Sequence, residues 1–251
     1  MNSYQNKKVK IDIKNISKSY EDVKVLDNIS IKVCEGEFVS ILGPSGCGKS
    51  TIFNMITNLI EYDSGSIEIN GKLSYMYQKD LLLPHKTIID NVSLPLTIMK
   101  EKKFYNKAIR KKEAHKKVIE YFKTFGLEGY ENKYPKELSG GMKQRANFLR
   151  TFVTSNDIML LDEPFGALDS ITKSSMQNWL LDIKNKVNST ILLITHDIEE
   201  AILLSNRIYI ISEKPAIIKG EIKVNLPKER NEDIVTSDKF VAIKKEVLEL
   251  M

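Results

Sequence analysis

The run Gly43-Pro44-Ser45-Gly46-Cys47-Gly48-Lys49-Ser50-Thr51 combines three glycines, a lysine and a hydroxyl pair in the phosphate-binding order G-x-x-x-x-G-K-[ST]. A triphosphate needs backbone N–H groups brought close together, and Gly43, Gly46 and Gly48 remove side chains that would obstruct them. A helix opening at Lys49 adds favourable potential from its positive end. Lys49 would reach the β- and γ-phosphates, and the Ser50 hydroxyl would coordinate Mg²⁺. The pattern predicts that the chain binds a nucleotide.

Three further stretches carry matching chemistry. Asp157 to Glu163 is an apolar run delivering two adjacent carboxylates at its C-terminal end, where ligands of open α/β sheets bind. Adjacent side chains at a strand end point in different directions. Asp162 therefore suits a Mg²⁺ shell, and Glu163 suits polarising a water for attack on the γ-phosphate. Thr190 to Asp197 repeats the design with His196 at its end, and Gln78 closes Leu73–Tyr77 in an equivalent position. In Leu138 to Arg145, Ser139-Gly140-Gly141 at a helix start forms a small anion nest. The competing reading is an ordinary Ser N-cap, but two glycines in the first turn weaken such a helix for no internal return.

The elements that must position these residues follow from hydrophobic period. Phe38–Leu42 reads as a short buried strand and Lys49 to Leu59 as a helix with apolar Ile52, Phe53, Met55 and Ile56. Val9–Ile13 and Ile29–Val33 alternate as half-buried strands, with Tyr20 before the acidic turn Glu21-Asp22. Asp63–Gly65 reads as a turn, Ser66–Ile69 as a strand, and Asn70-Gly71 as a hairpin signal leading to Leu73–Tyr77. From Thr87 the period turns helical, and Thr87-x-x-Asp90 resembles a capping box. A long helix is expected over about 106–125, stopped by Gly126, and another from Ser139 to about Thr154. Beyond Asp157, strand and helix alternate. The strands are Asp157–Leu161, Thr190–Ile194, Arg207–Ile211 and the strand-like 216–224. The helices are 170–187, Ile198–Leu204 and 238–250. That order argues for a parallel α/β sheet, with the helical stretch from about Asp80 to Thr154 inserted into it.

Bulk properties bound the rest. The 251 residues suffice for a substantial core, and 42% hydrophobic and 28% charged content is that of a globular protein. No apolar run approaches a membrane span, and the polar Met1–Lys8 lacks the core of a secretory signal. Cys34 and Cys47 suggest no disulfide framework, which fits a reducing cytosol. A net charge of +5, with Lys and Glu interspersed, does not favour nucleic-acid binding. The basic cluster of Lys102, Lys103, Lys107, Arg110, Lys111, Lys112, Lys116 and Lys117 reads as a solvated helix face, with anionic lipid headgroups as the alternative.

Together these residues resemble the ATP-binding subunit of ABC transporters, over about Val9 to Ser212. In that resemblance Gly43–Thr51 is the Walker A loop, Gln78 the Q-loop glutamine and Leu138–Arg145 the signature motif. Ile158–Glu163 is Walker B, Ala167-Leu168-Asp169 the D-loop and His196 the switch histidine. The resemblance implies a P-loop NTPase (RecA-like) α/β core with N-terminal antiparallel strands and an inserted α-helical subdomain. All of it falls in one domain over 1–251, with the core at about 1–85 and 155–225, the helical subdomain at about 86–154 and a C-terminal helix at about 238–250. It implies ATP and Mg²⁺ as cofactors, Tyr20 stacked on adenine, Glu163 as base, His196 on the γ-phosphate and Gln78 on Mg²⁺ and water. It implies a head-to-tail dimer with a second copy of itself, in which Ser139, Gly140, Gly141 and Gln144 face the partner's ATP. It implies docking of the stretch after Gln78 and the helical insertion onto integral membrane permease subunits at the cytoplasmic face, and an extracellular solute-binding protein as an indirect partner.

Tyr75 to Pro84, Met142 and Pro164 to Asp169 resemble the nitrate/sulfonate/taurine importer group, which includes importers of pyrimidine vitamin precursors. The terminal stretch from Ser237 to Leu250 resembles theirs too. His85 in place of the group's frequent Trp, and Leu149-Arg150-Thr151 in place of Ala-Arg-Ala, depart from it. An exporter subunit of the lipoprotein or peptide type, or soluble ABC machinery, are the alternative readings. A GTPase is excluded, because its Asn-Lys-x-Asp motif fails at the last position of Asn185–Asn188.

Overall fold

The computed structural model describes residues 7–98, 107–186, 189–227, 230 and 232–251. Asn106, Val187, Asn188, Lys102 and Lys103, and the first six residues, which entered the expectations above, lie outside them.

Two long strands, β1 (Val9–Tyr20) and β2 (Val23–Cys34), pair antiparallel across the Glu21-Asp22 turn. Each runs twelve residues, much further than the alternating cores expected from sequence. The polar interruptions are the reason. Asn15 and Asn28 adopt left-handed φ of 51° and 55°, which Asn tolerates, and the ladder shifts register between Ile13 and Ile16 rather than ending.

After β3 (Phe38–Leu42) and α1 (Lys49–Ile56) the chain returns as β4 (Ser64–Ile69), which pairs antiparallel with the other edge of β1. Ser64 and Gly65 thus belong to a strand rather than a turn. Helix α1 stops short of the expected Leu59 because Asn58 turns left-handed at φ 55°, leaving Leu59 exposed.

The Asn70-Gly71 hairpin expectation is overturned. Strand β5 (Leu73–Met76) does not pair with β4 but runs parallel to β6 (Ile158–Asp162) in a second sheet. The dipeptide hands the chain from one sheet to the other. Asn70 donates to the Lys10 carbonyl (2.8 Å), Lys72 N donates to Asp157 Oδ2 (3.1 Å), and a Cβ on Gly71 would lie 2.3 Å from that same oxygen.

The second sheet has the order β5-β6-β7-β3-β8-β9, with β7 (Thr190–Thr195), β8 (Arg207–Ile211) and β9 (Ile218–Lys223), of which only β9 is antiparallel to its neighbour. Every residue of β3, β6 and β7 is buried, which is why these strands read as continuous rather than alternating runs. Leu42 pairs with Thr195 and Asp162 with Ile194, so the C-terminal ends of the three strands share one edge.

Helices α2 (Ile88–Ile98), α3 (Lys107–Phe122) and α4 (Gly140–Thr154) lie between β5 and β6 in sequence. They cluster around Phe125, which meets Phe148, Phe152 and Trp179 of α5 (Ser170–Lys186) at centroid separations of 5.3–6.0 Å. The capping box at Thr87 is half-formed. Thr87 Oγ1 accepts from Asp90 N (3.4 Å), but the Asp90 carboxylate is drawn to Lys111 and His115 of α3. Helix α6 (Ile198–Leu204) follows β7, and α7 (Asp238–Leu250) packs against it with Phe240 and Val247 buried. Among the described residues no helix is long and apolar enough to cross a membrane.

Arg207 links the two sheets. Arg207 of β8 donates bidentately to the buried carboxylate of Glu37 (2.7 and 2.9 Å) and also to the Lys32 carbonyl of β2. Replacing the guanidinium strands a buried charge, so Arg207→Met is expected to lower the unfolding free energy by about 3–5 kcal/mol in chemical denaturation. The double variant Arg207→Met/Glu37→Leu is expected to recover part of that loss.

Candidate nucleotide and catalytic site

The loop between β3 and α1 takes its shape from its glycines, though not all for the reason the sequence suggests. A Cβ on Gly43 would stand 2.6 Å from Ile211 Cγ1, so this glycine serves packing against the end of β8. Gly46 and Gly48 adopt φ of 76° and 119°, a region that L side chains avoid. The Cys47 side chain is buried in the apolar cluster beneath the loop, and burial pushes its thiol up, so only its backbone can serve an anion. Pro44 is half-buried and Ser45 is exposed. Lys49 folds back to donate to the Gly43 and Pro44 carbonyls at 2.8 Å each, closing the loop on itself. Gly48 caps α1 with no side-chain acceptor, which leaves first-turn N–H groups for an anion. A cavity of about 240 Å³ opens here, lined by Tyr20, Gly46, Gly48, Lys49, Ser50, Thr51 and Glu163. Tyr20 stands at the end of β1, half-exposed, with the Lys18 ammonium 5.5 Å from its ring centroid. A larger cavity of about 610 Å³ lies elsewhere, among Lys72, Glu113, Lys117 and Asp157, and none of the candidate groups lines it.

Asp162 and Glu163 diverge at the end of β6. Asp162 is buried, its Oδ1 accepting from Ser50 Oγ (3.2 Å) and its Oδ2 from the Tyr75 hydroxyl (3.0 Å). Burial holds the Asp162 carboxyl above its usual range and the Tyr75 hydroxyl above its own. Glu163 sits at φ 43°, an uncommon conformation for a residue with a side chain. In that pose Gln78 Nε2 donates to Glu163 Oε2 (3.3 Å), and His196 Nδ1 lies 3.2 Å from the same oxygen. Lys49 Nζ lies 3.7 Å from Oε1. Three strand ends and the loop therefore converge on one carboxylate. The donor set also fits Mg²⁺. A hydroxyl and one buried carboxylate supply two hard oxygens, and the remaining positions are those phosphate and water fill. Among the described residues there is no cluster of three or more His, Cys, Asp or Glu that would make an all-protein metal cage.

The signature residues lie apart from this cavity. Ser139 Oγ accepts from Met142 N (3.3 Å) and so caps α4, and Gln144 is buried, donating to the Pro164 carbonyl of its own chain. The glycines gain a partial internal reason that the sequence did not supply. A Cβ on Gly141 would stand 3.0 Å from Thr172 Cγ2, while one on Gly140 meets only Leu168 at 3.5 Å. Asp169 Oδ1 accepts from Thr172 N (3.0 Å) at the start of α5, a bond that holds its carboxyl below the usual range.

Sequence reasoning missed several positions. Tyr75 reads as an ordinary strand residue, because nothing in the pattern shows which side chain its hydroxyl meets. Arg150 donates to the Asp80 and Leu81 carbonyls (2.6 and 2.8 Å), pinning the segment after Gln78 to α4. Lys173 of α5 bridges Asp197 (2.7 Å) and Glu200 (3.4 Å), fastening the helix that follows His196.

Comparison with known proteins places this geometry. A family model described as ABC transporter matches residues 26–166. The formylaminopyrimidine import ATP-binding protein ThiZ of Halalkalibacterium halodurans is 47% identical over 218 residues, spanning 86% of this chain and 84% of ThiZ. The aliphatic sulfonates import ATP-binding protein SsuB of Bacillus cereus is 40% identical over 244 residues, spanning 94% and 92%. The dimeric structure of MJ0796, a bacterial ABC transporter cassette, aligns with a TM-score of 0.71 at 31% identity, over 86% of this chain and all of that one. A dimeric post-hydrolysis state of MJ0796 bound to ADP and Pi aligns at 0.69, with the same identity and coverage. The fold and site define a P-loop ATPase. The chain belongs to the ABC transporter family, as its ATP-binding and ATP-hydrolysing cassette.

Glu200 supplies a pH signature. Its carboxyl is almost wholly buried, with Oε1 unpartnered, and burial pushes it up to about 7 from 4.5. The folded chain thus keeps a proton that the unfolded chain releases. The resulting stabilisation is complete below about pH 4.5 and lost as pH rises through about 7. In thermal unfolding across pH 5–8, Glu200→Gln is expected to show a shallower fall in Tm than the wild type, by about 5–10 °C over that window.

Proposed function

We propose that this chain powers uptake of a small organic solute, working at the cytoplasmic face of a membrane as a head-to-tail pair bound to a permease. Each Mg²⁺–ATP sits on the loop Gly43–Thr51 of one subunit and meets Ser139-Gly140-Gly141 of the other. The convergence of Lys49, Gln78 and His196 on Glu163 carries the hydrolytic part of this reading. In that site Glu163 accepts the proton of the attacking water, and His196 and Lys49 face the γ-phosphate. Ser50 and Asp162 hold the metal, with Gln78 beside it, and Tyr20 stacks on adenine. Asp169, at the start of α5, lies at the subunit contact.

Gln144 stands with the signature residues at the proposed subunit contact. Within its own chain its buried amide donates to the Pro164 carbonyl, in the turn after Glu163.

The import direction and solute class rest on the relatives. ThiZ is named for formylaminopyrimidine import and SsuB for aliphatic sulfonate import, which favours uptake over the exporter alternative. The higher identity to ThiZ favours a pyrimidine-type solute. A solute-binding protein outside the membrane delivers it.

Two measurements test this. Glu163→Gln is expected to lower ATP turnover by about 10²–10⁴-fold while leaving ATP binding intact, and turnover near the wild-type rate would sink the assigned base. In proteoliposomes carrying the permease and binding protein encoded beside this chain, ATP-dependent uptake of a labelled formylaminopyrimidine is expected. Uptake of an aliphatic sulfonate instead would reassign the solute, and outward movement would overturn import.

A further inference from the structure

Tyr75 has no place in the chemistry above, yet its hydroxyl touches the reacting centre's own ligand set. We propose that Tyr75 is a positioning residue for the Asp162 carboxylate, fixing the plane in which that group meets the metal. This rests on the reading of Asp162 as a metal ligand.

The two carboxylate oxygens of Asp162 each have one hydroxyl donor, Ser50 on Oδ1 and Tyr75 on Oδ2. Ser50 lies on the cavity at the phosphate loop, so the Oδ1 side is the one turned toward that cavity. A carboxylate held at one oxygen turns about its terminal torsion, which is soft. Held at both, it has a single orientation. Tyr75 is itself firmly placed. It pairs with Leu160 of β6, two residues before Asp162, and its ring is wedged edge-on against Phe53 of α1 (5.6 Å) and stacked on Tyr77 (4.0 Å, 29°). Phe would satisfy that packing equally. What the hydroxyl adds is one bond, and it ends on Asp162. Partners that orient a metal ligand typically change metal affinity by 10–100-fold when removed.

The test is Mg²⁺ titration of the binding of a fluorescent ATP analogue to the full chain, beginning in metal-free buffer. Tyr75→Phe is expected to keep the metal-free affinity for the analogue, and to raise the Mg²⁺ concentration for half-maximal binding about 10-fold. The Mg²⁺ requirement of turnover should move in step. A wild-type Mg²⁺ requirement would overturn the proposal. So would an equal loss of metal-free affinity, which marks a packing role alone. Asp162→Asn separates the two layers. If it shifts the Mg²⁺ requirement and Tyr75→Phe does not, the inference about Tyr75 fails by itself. If neither shifts it, the metal-site reading fails and takes the inference with it.

Discussion

Parallel pairing of β3, β6 and β7 is the constraint on which the rest depends. All three strands are buried along their full length, and their register leaves Leu42, Asp162 and Thr195 at a common edge. The phosphate loop, the carboxylate pair and His196 are far apart in the chain, yet each is simply the next residue or two beyond a buried strand. Strand β5 adds Gln78 by the same device, since Met76 pairs with Leu161. One-residue slippage of any strand would move its functional end by 3.3 Å or so and invert its side chains, so apolar burial is what sets the site's tolerance.

The centre itself is arranged as two carboxylates with different company. Asp162 is enclosed and held by hydroxyls, whereas Glu163 turns out through a left-handed backbone step toward Lys49, Gln78 and His196. That step has its own support, because Glu163 N donates to Ile194 O and Glu163 O accepts from Gly166 N. The segment just beyond Gln78 is anchored by Arg150, and the helix beyond His196 by Lys173. Both links reach from the edges of the centre into α4 and α5.

The antiparallel sheet contributes Tyr20 and is tied to the parallel one by charge as well as packing. Arg207 of β8 forms one tie, donating to the Lys32 carbonyl of β2 while its guanidinium grips Glu37 in the turn before β3. Lys10, on β1, forms another with Asp157 at the foot of β6 (2.6 Å), a bond that holds the Asp157 carboxyl below its usual range against the opposing effect of burial.

Most of the candidate chemistry was legible in the sequence because it depends on local order: glycine, lysine and hydroxyl in one loop, and polar residues immediately after apolar runs. The α/β class followed from hydrophobic period and the order of elements. Tertiary structure alone decided the rest. Asn70-Gly71 has hairpin chemistry, but β5 finds its partner in β6, some eighty residues away, because a wholly apolar neighbour buries more surface than a solvent-facing hairpin. Asn15 and Asn28 interrupt the alternation without ending their strands, since a bulge absorbs them. Gly43 is small for the sake of Ile211, and Gly141 sits close against Thr172, contacts across the fold that no local pattern encodes. The same holds for Tyr75, Arg150 and Glu200. Their types are readable at once, but what they do is set by which distant group each one meets.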